Sequence, residues 1–125
     1  MTGFAIQNNM ITTDTILKEI SEALRSPIPM SPDWFLEKSM LLNDFLGDEN
    51  LKLVELKSAV AKLKLSFLDA DTKRNVSDAK VKIEASEEFK QMGIQDTKCR
   101  QIVETIRLAK LRAKLSMEEI QGYGR

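Results

Sequence analysis

Between residues 53 and 70 the apolar side chains Leu53, Leu56, Val60, Leu63, Phe67 and Ala70 step by 3, 4, 3, 4 and 3 positions. That alternation is the seam of a coiled coil, and a strand, whose side chains repeat every second residue, would scatter it over both faces. A second set, Leu51, Val54, Ala61, Leu65 and Leu68, projects almost opposite the first when residues are turned by about 100° each. A helix that is apolar along two sides needs two neighbours. The stretch therefore points towards an all-α fold in which this helix lies inside a bundle or an assembly.

The flanking segments fit such a fold. Ile16, Leu17, Ile20, Ala23 and Leu24 have helical spacing behind Thr12 or Thr13 as cap, which predicts a helix over about residues 13–25. Pro27, Pro29 and Pro32 in SPIPMSP end it, and Ser31, Pro32 and Asp33 start the next. Gly47 is a natural stop, so a second short helix is expected over 32–46, burying Trp34, Phe35, Leu41, Leu42 and Phe45. The third helix then runs from about 49 to 70. After the polar turn DADTKRN a fourth is expected from Ser77 to about 117. Along it Val81, Ala85 and Met92 share a side with Cys99, Ile102, Ile106, Ala109 and Ala113, with no slip at Gly93. A break between Met92 and Asp96 is the alternative.

With 125 residues the chain matches one domain of common size. The expected organisation is a tail at 1–12, two short helices around a proline-rich linker at 13–46, a long antiparallel hairpin at 49–117 and a flexible tail at 118–125. The hairpin is expected to pack by coiled-coil rules. The bundle or oligomer interface would draw on Leu53, Leu56, Val60, Leu63 and Phe67 on one arm and Ile102, Ile106, Leu108, Leu111 and Leu115 on the other. Because one chain of this length leaves apolar stripes over, a homodimer or higher oligomer is expected.

Formal charge sums to zero, yet it is unevenly spread. Residues 1–55 carry nine acidic and four basic groups, net −5, whereas residues 98–125 carry three and seven, net +4. Arg100, Arg107, Lys110 and Lys114 fall within an arc of about 80° on the last helix. Two readings are open for this ridge. It is either a solvated face whose long stems cover the edges of an apolar seam, or a stripe that contacts phosphate without reading bases. Residues 90–122 contain no aromatic side chain on which a base could stack, and no zinc-finger, helix-turn-helix or RNA-recognition signature is present.

Catalysis finds little support. The chain has no histidine, so its one cysteine, Cys99, lacks the usual base and reads as a small buried hydrophobe. The acid pairs Asp69/Asp71 and Glu87/Glu88 sit on polar faces without a glycine-rich loop beside them. No catalytic residue, cofactor or metal site is expected. A single cysteine, no leader-like start and no run of about 18 apolar residues point to a cytoplasmic protein without a membrane span. Met30, Trp34 and Phe35, placed just after the proline hinge, are either a staple for the second helix or an exposed anchor for a partner protein.

The stretch LDADTKRNVSDAKVKIEASEEFKQ, followed by VETIRLAKLRAKL, resembles the small, charge-rich helical proteins encoded by tailed phages and prophages. The resemblance covers about residues 60–115. It implies a phage product working in the host cytoplasm as a non-catalytic adaptor on proteins of DNA replication or recombination. Direct, sequence-independent nucleic-acid binding through the basic helix and inhibition of a host defence or DNA-metabolism protein are the alternatives.

Overall fold

The computed structural model describes residues 11–28, 30–70 and 76–123, with side chains described as far as Glu119. The fold is all-α, with no strand among the described residues. It comprises α1 (Thr13–Arg25), α2 (Pro32–Ala70), α3 (Val76–Glu84) and α4 (Glu87–Tyr123). Most of the expected N-terminal tail, residues 71–75 of the expected turn and the last two residues lie outside the described residues.

Each helix start has a chemical reason. Thr12 caps α1 reciprocally: its hydroxyl accepts from the Thr15 amide at 3.2 Å, and its own amide donates to the Thr15 hydroxyl at 2.7 Å. Ser31 caps α2, accepting from the Trp34 amide at 3.1 Å, with Pro32 in the first helical position where no amide hydrogen is needed. Ser86 caps α4, accepting from the Phe89 amide at 3.2 Å.

Two expected boundaries are corrected. The helix starting at Pro32 does not stop at Gly47 but runs on for 39 residues to Ala70, so the second and third expected helices are one. The reason is visible in the apolar spacing. Phe35, Ser39, Leu42, Leu46, Glu49, Leu53, Leu56, Val60, Leu63 and Phe67 step by alternating fours and threes straight through Gly47. Packing of that continuous seam outweighs the roughly 1 kcal/mol that a mid-helix glycine costs relative to alanine. The second correction concerns the last helix, which is neither unbroken from Ser77 nor broken near Gly93. It breaks at Ala85–Ser86. Ser86 closes α3 by donating its hydroxyl to the Ile83 carbonyl at 2.6 Å and its amide to the same carbonyl at 2.9 Å. On an unbroken helix Ala79 and Ile83 would lie about 160–200° from Cys99 at 100° per residue. The break lets all three be buried, and it leaves Val81 66% exposed. At the far end, α4 is helical to Tyr123, past residue 117 where the hairpin was expected to end.

The described residues form two compact units, one made of those up to Phe45 together with those from Ile102 onward, the other of Leu46–Gln101. In the first, Ile16, Leu17 and Ile20 of α1, Phe35 and Leu42 of α2, and Ile102, Ile106, Ala109 and Ala113 of α4 are buried. An ion pair between Glu19 and Lys38, 2.7 Å long, ties α1 to α2 there. In the second unit the buried side chains are Glu49 and Leu53 of α2, Ala79 and Ile83 of α3, and Cys99 of α4. Glu49 meets Lys98, while Phe67, further along α2, meets Lys82 earlier in the returning chain. Those contacts run in opposite chain order.

Candidate functional site

Along Leu46–Ala70 the two apolar seams of α2 have different fates. The inner one is covered: Leu53 is buried and Leu56, Val60, Leu63 and Phe67 are half-buried within their own unit. The outer one is open. Leu51, Val54 and Leu65 are 58%, 60% and 57% exposed, far from the burial such residues usually reach in a packed helix. Ser58 and Ala61 between them are exposed too, and Leu68 is half-buried. With Ser58 included, the outer row reads 51, 54, 58, 61, 65, 68, a second 3-4 alternation as regular as the first.

The inner seam contains a charge. Glu49 is 2% exposed, with Lys52 Nζ 3.0 Å from Oε1 and Lys98 Nζ 3.0 Å from Oε2. Its backbone carbonyl also accepts from Gln95 Nε2 at 2.8 Å. Burial pushes this carboxyl up, but the hydrogen bonds and charges of Lys52 and Lys98 together outweigh it, so it sits below its ordinary value. Nothing about this arrangement offers an open cleft or an acid held neutral, as acid–base chemistry needs. Neighbouring Cys99 is buried, and its thiol is pushed up by burial and by the Glu49 charge, which disfavours the reactive thiolate. Glu49 was missed by sequence reasoning because a carboxylate at a seam position does not look like core. The signal available was the unbroken spacing around it.

On α4 the basic ridge is partly spent on its own helix. Arg100, in the Leu46–Gln101 unit, pairs with Asp96 at 3.1 Å. In the other unit Arg107 grips Glu104 with two bonds, Nε to Oε2 at 3.0 Å and Nη2 to Oε1 at 2.6 Å. The pairing holds the Glu104 carboxyl below its ordinary value. Lys110 and Lys114 are exposed on the same helix. Of the expected interface residues on α4, Ile102 and Ile106 are buried in the core, Leu108 is half-buried, and Leu111 and Leu115 are 43% and 46% exposed.

The three residues after the proline hinge separate. Phe35 is fully buried and presents no surface to a partner, which corrects its assignment as an anchor. Its ring meets the Trp34 ring edge to face at 5.1 Å, and Lys38 Nζ lies 5.6 Å from the Trp34 ring centre. Trp34 and Met30 line an open groove of about 400 Å³ with Glu19, Glu22, Ala23 and Ser26.

Among the described residues no three His, Cys, Asp or Glu side chains cluster as metal ligands would, and no helix is long and apolar enough to cross a membrane. No protein-family model matches the sequence, and no curated protein or solved structure is significantly similar to it.

Proposed function

We propose that the chain is a non-catalytic helical adaptor that acts by binding other proteins, its long helices forming an antiparallel hairpin of coiled-coil type. One observation carries the reading: the outer seam of α2, with Leu51, Val54 and Leu65 each more than half exposed in a regular heptad row. Covering such side chains is worth roughly 1–2 kcal/mol each at about 25 cal/mol per Å². Contiguous exposed apolar rows of this kind mark interaction surfaces. The resemblance to phage helical proteins suggests partners among the proteins of replication and recombination, in the host cytoplasm. Blocking a host protein would use the same seam.

Nucleic-acid binding through the α4 ridge is the second reading, favoured by exposed Lys110 and Lys114 and weakened by the pairing of Arg100 and Arg107. Four free cations would give a log-log salt slope of roughly −3.6, and two only about −2. Fluorescence anisotropy with labelled single- and double-stranded oligonucleotides tests it, with Lys110→Glu/Lys114→Glu as control. The adaptor reading expects no binding at low salt. Salt-sensitive binding with a slope near −2, lost in the double variant, would replace it with the second reading.

A further inference from the structure

A second copy of the chain and a foreign helix would both cover the outer seam of α2, and the charges beside it distinguish them. In heptad terms the positions flanking the row 51, 54, 58, 61, 65, 68 are 50, 57 and 64 along one edge and 48, 55, 62 and 69 along the other. The first edge holds Asn50, Lys57 and Lys64, all exposed, and is purely basic where it is charged. The second holds Asp48, Glu55, Lys62 and Asp69, three acidic side chains and one basic.

Pairing the seam with itself sets Lys57 against a lysine in either direction. In an antiparallel pair the first edge faces its own copy, which gathers the Lys57 and Lys64 side chains of both chains into one row. In a parallel pair Lys57 faces Lys62 of the other copy, and only Lys64 gains an acidic neighbour, Asp69. Flanking charges of this kind set partner choice in coiled coils, and like-charge contacts reject the wrong partner. The three-leucine row of α4, Leu108, Leu111 and Leu115, is flanked by Arg107, Arg112 and Lys114, so it gives Lys57 and Lys64 no acidic complement.

We infer that the outer seam of α2 receives an amphipathic helix of a partner protein, apolar in a heptad row and acidic along the edge that meets Lys57 and Lys64. This rests on the adaptor reading and names the chemistry of its partner. The central positions Ser58 and Ala61 are small, which leaves room there for a large side chain of the incoming helix.

The test uses the full chain and two labelled 21-residue peptides with the same leucine heptads, one carrying Glu and the other Lys at every flanking position. Each peptide repels its own copies, so both stay single. The expected result by fluorescence anisotropy is binding of the Glu peptide, weakened by salt, and little binding of the Lys peptide. Lys57→Glu/Lys64→Glu should lower affinity for the Glu peptide about tenfold and raise it for the Lys peptide, since two exposed pairs change from attraction to repulsion. Val54→Glu/Leu65→Glu should abolish binding of both while leaving the helical circular dichroism unchanged. If the Glu peptide binds and the lysine exchange alters nothing, the acidic edge is wrong and the adaptor reading stands. If neither peptide binds and sedimentation shows a dimer that Val54→Glu/Leu65→Glu dissociates, the occupant is a second copy and the inference is overturned. If neither binds and the chain is monomeric, inference and adaptor reading fall together.

Discussion

Replacing Lys98 by Met removes one of the two cations that hold the buried carboxylate of Glu49. Removing one partner of a buried ion pair typically costs about 3–5 kcal/mol, because the remaining charge is stranded away from water. Here Lys52 remains 3.0 Å away, but its side chain is 62% exposed, so its charge is well screened. The expected loss is therefore about 2–3 kcal/mol at pH 7. The Glu49→Met/Lys98→Met pair should recover most of it, because an apolar pair of similar volume carries no stranded charge. The pH dependence follows from the direction of the Glu49 shift. A carboxyl lowered in the folded state adds stability that is fully present above its unfolded value of about 4.3 and is lost as pH falls through the folded value. In Lys98→Met burial meets only Lys52, so the carboxyl takes up a proton more readily and acid costs the variant less. The gap between wild type and variant should narrow from pH 7 to pH 3. Urea denaturation followed by circular dichroism at several pH values measures both quantities. A Lys98→Met variant within about 0.5 kcal/mol of wild type at pH 7, or a gap that ignores pH, would refute the assignment of Glu49 as a buried, lysine-held anion.

Two further predictions concern the backbone. Gly47 and Gly93 both lie inside helices, and an added Cβ at either meets nothing within 4 Å; alanine at each should therefore stabilise the protein by about 0.5–1 kcal/mol, read as a higher Tm, and a lower Tm for Gly47→Ala would argue against a continuous α2. Ser86→Ala removes both the cap on α4 and the hydroxyl tie to Ile83, so it should cost about 1 kcal/mol in urea denaturation, whereas an unchanged midpoint would mean that the junction needs no cap.

Much of this architecture is legible in the order of residues, because helix caps and heptad rows are local. Thr12, Ser31 and Pro32 mark helix starts by chemistry that needs no tertiary context, and the structure uses all three in that way. Gly47 misleads because a glycine is a good stop only where nothing beyond it prolongs the seam. Ser39 and Glu49 conceal that seam by being polar members of an apolar row. Ser86 was hard to see for a different reason. The row from Val81 through Met92 to Cys99 is consistent on paper, and only packing against other segments selects Ala79 and Ile83 instead. The candidate ridge was drawn from cations alone, while its strength depends on Asp96 and Glu104, each within one helical turn. For the aromatic pair after the prolines, sequence could place Trp34 and Phe35 side by side but not decide which of them turns inward.

The joint at Ser86 also governs how this chain tolerates changes of length. Along α4 the buried residues follow one uninterrupted rotation, so a single inserted residue near Gly93 would turn every buried position on one side of it by about 100° relative to the other. An insertion at Ala85 or Ser86 meets a helix that has already ended, and the loop there can take up the extra residue while α3 and α4 keep their faces. Length variation in such a sequence should therefore collect at this joint and be excluded from the 26 residues that separate Ser86 from Ala113.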